Sequence, residues 1–109
     1  MTRIDQIVIN ASPLISLFRS GQAGLLPILF NRVIVPEAVW EEVVSAHGDA
    51  AAIELPKQSW TIRESVLVSP RLVNWNLGRG ESAVLSYALA NPGVRAIIDD
   101  RDARRCAQV

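Results

Sequence analysis

The feature that most constrains the fold is a run of β-branched residues leading directly into a helix start near the N-terminus. Ile4 and the run at residues 7–9 predict a strand that is buried on both faces, as in a parallel sheet. Ser12 suits a helix N-cap and Pro13 suits the first helical position, so we expect a helix to begin there. Asn10 is thereby predicted at the carboxyl end of a buried strand, the edge of an open parallel sheet where ligands bind.

The rest of the chain continues this alternation of apolar strands and amphipathic helices. Helices are predicted at residues 12–20, 25–30, 37–46, 49–55 and 78–90, and a basic helix from about Asp102 onward. Strands are predicted at 32–35 and 94–98, and residues 60–63 and 66–68 are expected to be extended. Continuously apolar strands that alternate with helices indicate an α/β fold with a parallel sheet. We expect one domain over residues 1–109.

Composition excludes several classes of protein. Eleven acidic and eleven basic residues give a formal net charge of zero, so bulk charge offers no argument for nucleic-acid binding. The single Cys106 excludes an intrachain disulfide and a cysteine-based zinc site, which fits a reducing, cytoplasmic setting. No signal peptide is visible, and no run approaches the roughly 20 apolar residues of a membrane span, so no membrane is expected as a partner.

Carboxylates in the helix after Pro36 divide into two groups on a helical wheel of about 100° per residue. Glu37 and Glu41 fall opposite the apolar face and are expected to be solvated. Glu42 borders the apolar face, one turn after Val39, and is expected to reach a crevice beside the core.

Glu81 stands out in the helix after Gly80, because it lies on the inward stripe with Leu85 and Ala88. The alternative is a first-turn acid that interacts with the helix dipole, and the sequence leaves both interpretations open. The segment Gly78-Arg79-Gly80 is expected to shape the turn that presents Glu81.

A third group of acids follows a buried strand. Asp99 and Asp100 end the apolar run and Asp102 follows at once. An N-cap and a turn residue account for one of these acids but not for three, and Asp102 is expected to be a capping or solvated residue.

Clustered carboxylates raise one another's pKa values unless a cation neutralises them. A site of Asp, Glu and Asn oxygens without His or Cys suits a hard cation such as Mg²⁺ or Mn²⁺. A cation pair of this kind can activate water and stabilise the leaving oxygen of a phosphodiester.

Four segments that carry these residues resemble PIN-domain proteins, specifically the PIN-like group formerly called a domain of unknown function. The segments are residues 7–15, 35–43, 77–83 and 97–104. The resemblance implies a three-layer α/β/α fold with a parallel sheet and Mg²⁺- or Mn²⁺-dependent ribonuclease activity. It also implies a toxin held inactive by a small antitoxin, as in many prokaryotic members.

Carried over by position, the resemblance assigns the catalytic and metal-binding roles to one residue from each segment. Asn10 stands in the place of the first acid, Glu42 of the second and Glu81 of the third. The fourth acid falls on Asp99 or Asp100, which a gapless match does not separate. Ser12 corresponds to a polar neighbour that supports the first site.

Two departures from the family pattern affect the expectations. Asn10 replaces the usual first aspartate, so it can ligate a metal but brings no charge, which lowers the expected affinity. The family also has a further strand and helices beyond the last acid, so we expect a domain that is incomplete at its C-terminal end.

The sequence supports two alternative functions. The first is a metal-dependent endoribonuclease of the toxin type, in which Ser12, Arg101 and Arg104 contact RNA. A solvated basic face is the alternative for the two arginines. The second is a catalytically degenerate PIN fold that binds nucleic acid or protein. A homodimer is expected in either case.

Overall fold

The computed structural model describes residues 5–99 and 101. Its centre is a four-stranded sheet in which every pair is parallel and the strand order is β3-β2-β1-β4. The strands are β1 Gln6–Ile9, β2 Arg32–Pro36, β3 Thr61–Glu64 and β4 Arg95–Ile97. The predicted α/β fold with a parallel sheet is confirmed.

Five α-helices connect and cover the strands: α1 Ala11–Arg19, α2 Leu26–Leu29, α3 Glu37–Val44, α4 Ala50–Glu54 and α5 Arg79–Ala90. Short 3₁₀ helices lie at Ala23–Leu25, Leu55–Lys57 and Pro70–Trp75. The chain moves from β1 outward to β2 and β3, then returns to the other side of β1 as β4. Helix α5 packs against β1, β2 and β4 and also contacts α3.

The central strands form the core. Ile7, Val8 and Ile9 of β1 are fully buried, and Val33 to Val35 of β2 are almost equally so. Burial on both faces explains why these strands are continuously apolar rather than alternating. None of the described helices is long and apolar enough to cross a membrane.

The predicted N-cap of the first helix was wrong by two residues. Helix α1 begins at Ala11, and Asn10, with extended backbone angles, occupies the N-cap in place of Ser12. Asparagine serves this position as well as serine does, and β1 ends directly before it. Pro13 therefore falls within the first turn, where its missing N–H breaks no intrahelical bond.

One predicted extended segment does not join the sheet. Residues 66–68 form no strand, because the chain leaves β3 and passes along α5. The Ser69 N–H donates to Ser86 Oγ at 2.8 Å, which ties this segment to the buried side of α5. The helix predicted from Asp102, with Asp100, Arg104 and Cys106, lies outside the described residues.

Candidate active site

The strand order alone predicts a crevice at the carboxyl ends of β1 and β4. The chain moves from β1 to β2 and β3 on one side and returns to the other side of β1 as β4, so the carboxyl ends of β1 and β4 form a topological switch point. The Asn10 N–H donates to Ile97 O at 2.9 Å and holds the two strand ends together. Asn10 directly follows β1 and Asp99 lies two residues after the end of β4, which brings them to the same edge.

The orientation of the Asn10 amide is set by one hydrogen bond. Its Nδ2 donates to Ile98 O at 3.4 Å, on the side of β4. The amide oxygen then faces the opposite way, towards α5, and lies 3.0 Å from the point where a Cβ on Gly80 would stand. Asn10 therefore presents an acceptor to the crevice while its donor is used in the fold.

Gly80 is the residue that makes this approach possible. It is buried at the second position of α5, and an added Cβ would also meet Val39 Cγ2 at 3.4 Å and Glu42 Oε1 at 3.6 Å. Its φ is not positive, so no turn requires glycine here. The missing side chain instead leaves a space that is bounded by an amide oxygen, a carboxylate oxygen and a methyl group.

Sequence reasoning gave Gly80 only a turn-shaping role and missed this one. A usable signal was present, because a glycine inside a helical pattern lowers helix stability and usually has a packing or functional reason.

Glu42 reaches the crevice from α3, as its position on the helical wheel predicts. Its Oε1 lies beside Gly80, although the residue as a whole is exposed. Glu41, the preceding residue, is turned elsewhere and accepts from Arg79 Nη2 at 3.3 Å. Glu37, one turn earlier, forms a two-point ion pair with Arg63.

Glu81 lies next to Gly80 in the first turn of α5 and is half-buried. Within residues 5–99 and 101, its carboxylate has no hydrogen bond or ion pair, and the same holds for the carboxylate of Glu42. The helix-dipole interpretation of Glu81 stays open beside the metal-ligand one.

The other predicted site residues are distributed around the same edge. Asp99 is exposed after β4, Ser12 is exposed in the first turn of α1, and Arg101 is exposed. Asp100 and Arg104 lie outside the described residues. The structure thus brings Asn10 and Glu42 together directly, with Glu81 and Asp99 at the same edge by their position in the chain.

Glu37, on the outer side of α3, forms an ion pair with Arg63 of β3. The hydrogen bonds from the Arg63 guanidinium lower the pKa of Glu37, and the Glu37 carboxylate raises the pKa of Arg63 in turn. The guanidinium carbon also lies 4.7 Å from the centre of the Trp40 ring, a cation–π contact. This acid is neutralised from within the protein.

The donor set of the crevice fits a hard divalent cation. Two oxygens from different elements converge on a space that a Cβ would fill, and such ligands suit Mg²⁺ or Mn²⁺. No cluster of three His, Cys, Asp or Glu residues arranged for metal binding occurs in the described part of the chain. Asn10 is not one of these four residue types, and Asp100 lies outside the described residues.

Comparison with known proteins identifies the family. A family model described as a PIN domain matches residues 6–109, nearly the whole chain. No curated protein and no solved structure matches the chain significantly. PIN domains generally use divalent metal ions, and PIN nucleases act on RNA. By its strand order, its edge of polar side chains and this match, the chain belongs to the PIN-domain family and has a nuclease-type fold.

Proposed function

We propose that this protein is a divalent-metal-dependent endoribonuclease that uses Mg²⁺ or Mn²⁺. The observation that carries the proposal is the convergence of Asn10 Oδ1 and Glu42 Oε1 on the space above Gly80. Two acceptor oxygens that face one space repel each other unless a proton or a cation lies between them. Membership of the PIN family supports a cation in that place.

Four positions would hold the cation: Asn10, Glu42, Glu81, and either Asp99 or Asp100. When bound, the metal supplies activation of water and charge stabilisation of the leaving oxygen in phosphodiester hydrolysis. Three of these ligands are carboxylates and the fourth is neutral, which leaves less negative charge than four acids would. We therefore propose that cation affinity is modest and depends strongly on each carboxylate.

The protein's own contribution is the positioning of these ligands. The bond from Asn10 Nδ2 to Ile98 O fixes which amide atom faces the crevice, so a ligand oxygen is preorganised. Gly80 keeps the space between the ligands open, and the buried Val39 forms one apolar wall of it. Arg63 and Arg79 neutralise the neighbouring acids Glu37 and Glu41, which reduces repulsion of an approaching phosphate.

A second candidate function is a catalytically degenerate PIN module that binds nucleic acid or protein. The observation that favours it is Asn10 itself, because an amide in the first acidic position brings no charge. The two candidates make opposite predictions for metal binding, so one titration separates them.

The deciding experiment is calorimetric titration with Mn²⁺, together with cleavage of a labelled single-stranded RNA. The enzyme proposal predicts saturable binding that disappears in Glu81→Ala, and cleavage that is lost in Glu42→Gln and Glu81→Gln. Glu54→Gln is the matched control, since Glu54 pairs with Lys57 away from the crevice. Absence of Mn²⁺ binding at millimolar concentration favours the binding module, and cleavage that survives both glutamine variants refutes the assigned metal site.

The cellular setting follows from the family resemblance and is part of the same proposal. We propose a cytoplasmic toxin that acts as a homodimer and is neutralised by a small antitoxin protein. Ser12, Arg101 and Arg104 would contact the RNA near the crevice. Growth arrest on expression, absent in the Glu81→Gln variant, is the expected result for a toxin, and light scattering after gel filtration tests the dimer.

A further inference from the structure

Arg79 is the residue of α5 that directly precedes Gly80, so its main chain lies at the crevice. Its guanidinium lies across the junction of α5 with α3, where Nη2 donates to Glu41 Oε2 at 3.3 Å. Glu41 in turn directly precedes Glu42, whose carboxylate borders the space above Gly80. The Arg79 guanidinium is therefore held on the outer side of α3 by the residue that precedes a proposed metal ligand.

The contact between Arg79 and Glu41 is loose. The Arg79 side chain is 80% exposed and the Glu41 side chain 50%, and a single nitrogen makes the contact. Exposed ion pairs of this kind contribute little to stability, because water solvates both partners almost as well. Most of the five N–H donors of the guanidinium are left to water.

Arg63, at the same edge of the sheet, is the instructive contrast. Its side chain is 48% exposed, it donates to both oxygens of Glu37, and its guanidinium covers the Trp40 ring. Exchange of these partners for a phosphate would break two hydrogen bonds and a ring contact. Arg63 is thus committed to the fold, whereas Arg79 is held by one replaceable contact.

The charge balance of the chain makes a local cation necessary for RNA binding. With a formal net charge of zero, the protein has no overall positive charge to attract a polyanion. Phosphate contacts must then come from individual side chains near the crevice. Arginine is the side chain whose planar fork best matches two phosphate oxygens.

We propose that Arg79 is a substrate-positioning residue that binds a backbone phosphate of single-stranded RNA, exchanging Glu41 for that phosphate. The contact aligns the strand so that a neighbouring phosphodiester enters the space above Gly80. Glu41 competes with the RNA for the guanidinium and lowers the affinity of the free protein. This inference rests on the proposed ribonuclease function, because it assumes that RNA is the ligand.

The test measures RNA affinity without the chemistry. A fluorescein-labelled single-stranded oligoribonucleotide is titrated in EDTA at several salt concentrations, with fluorescence anisotropy as the readout. Arg79→Ala is expected to weaken binding roughly fivefold and to reduce the slope of log K against log salt by about 0.7, the value for one lost single-strand phosphate contact. Arg79→Lys should recover the slope but only part of the affinity, because lysine keeps the charge and loses the fork.

The matched control is Arg71→Ala. Arg71 is an exposed arginine in the 3₁₀ helix Pro70–Trp75, and it forms no ion pair within the described residues. Its removal changes the net charge by the same amount, so it measures the non-specific part of the effect. Its salt slope is expected to stay at the value of the unmodified protein.

Glu41→Gln supplies a variant with the opposite expected effect, which misfolding cannot imitate. Removal of the competing carboxylate should tighten RNA binding roughly threefold, the reverse of the usual loss in a damaged protein. In the Arg79→Ala background, the same substitution should have a smaller effect, because no guanidinium is left to release.

The outcomes separate this inference from the function on which it rests. An unchanged salt slope in Arg79→Ala, a loss equal to that of Arg71→Ala, or no RNA binding by the unmodified protein would each overturn the role of Arg79. Metal-dependent cleavage is measured separately through Glu42 and Glu81. A protein that binds RNA through Arg79 without cleaving it retains the inference and loses the enzyme proposal.

Discussion

Helix α3 carries two kinds of carboxylate, and the contrast between them is the clearest indication of where this protein acts. Glu37 and Glu41, on the outer side, are each paired with an arginine from another element. Glu42, on the inner side, faces the amide oxygen of Asn10 across the space above Gly80 and has no cation partner among the described residues. The fold thus supplies cations to Glu37 and Glu41, and the proposed function assigns a bound metal ion as the partner of Glu42.

Helix α5 repeats this division at its first turn. Arg79 donates to the outer acid Glu41, while the next residue, Gly80, lies against Asn10 and Glu42 at the crevice. The first turn of α5 therefore provides a cation for the outer acid Glu41 and leaves room beside Glu42 at Gly80. Substitutions at these positions test whether the two sides of α3 differ in function.

The largest effect is expected from Gly80→Ala, which removes the space on which the comparison depends. The new methyl would lie 3.0 Å from Asn10 Oδ1 and 3.6 Å from Glu42 Oε1 and would displace any ion between them. We expect at least about a hundredfold loss of RNA cleavage, as for other misplacements of about 1 Å in active sites. Alanine restricts the unfolded backbone more than glycine does, which opposes the cost of the tight contact, so the unfolding temperature should change little.

Gly24→Ala is the control for this variant, since no atom lies within 4 Å of a Cβ at that position. Cleavage by Gly24→Ala should equal that of the unmodified protein. Full activity in Gly80→Ala would show that the space has no role.

The next largest effect is expected on Mn²⁺ affinity, when the inner acid Glu42 and the outer acid Glu41 are each replaced by glutamine. Glu42→Gln should lower Mn²⁺ affinity by about tenfold or more, because a ligand charge is lost from the site. Glu41→Gln, one residue away, should lower it by less than about threefold, since only a screened long-range attraction is lost. Calorimetry of both variants provides the measurement, and equal losses would erase the distinction between the two sides of α3.

Asn10→Asp tests the unusual neutral ligand. A carboxylate at this position adds one charge to the site, so Mn²⁺ binding should tighten by about tenfold. The donor to Ile98 O is lost at the same time, and a second negative charge faces Glu42. In EDTA we therefore expect a loss of about 1–3 kcal/mol in the free energy of unfolding, which Mn²⁺ restores. An affinity no higher than that of the unmodified protein would argue against Asn10 as a ligand.

The smallest effect concerns the neutralised outer pair. The pKa of Glu37 is lowered by its hydrogen bonds to Arg63, so the pair stabilises the fold above the unfolded pKa of about 4.5. That contribution is lost as the pH falls through the lower folded value. Glu37→Gln should thus reduce the unfolding temperature slightly at pH 7, and the difference should shrink as the pH falls below the unfolded pKa. A difference that is independent of pH would mean that the ion pair is not its cause.

Much of the fold could be predicted because the relevant signals are local. Apolar runs at β1 and β2, with Pro36 and the Asn91-Pro92-Gly93 turn as boundaries, are sufficient to predict a parallel sheet with helices between its strands. The helical wheel also places Glu42 at the border of the apolar face and Glu41 opposite that face, since both positions depend only on the period of one helix. The N-cap was misplaced because Asn10 and Ser12 are equally good caps, and only the end of β1 decides between them.

The sequence by itself determined the strands, the helices and the residue types that stand at their ends, because these follow from periodicity and local preference. Only the tertiary structure decided that Asn10 and Glu42, which lie on separate elements, face one space. It also decided that Gly80 keeps this space open and that Arg63 and Arg79 pair with the outer acids. These are contacts between elements far apart in the chain, and they depend on strand order and helix packing, which no local pattern encodes.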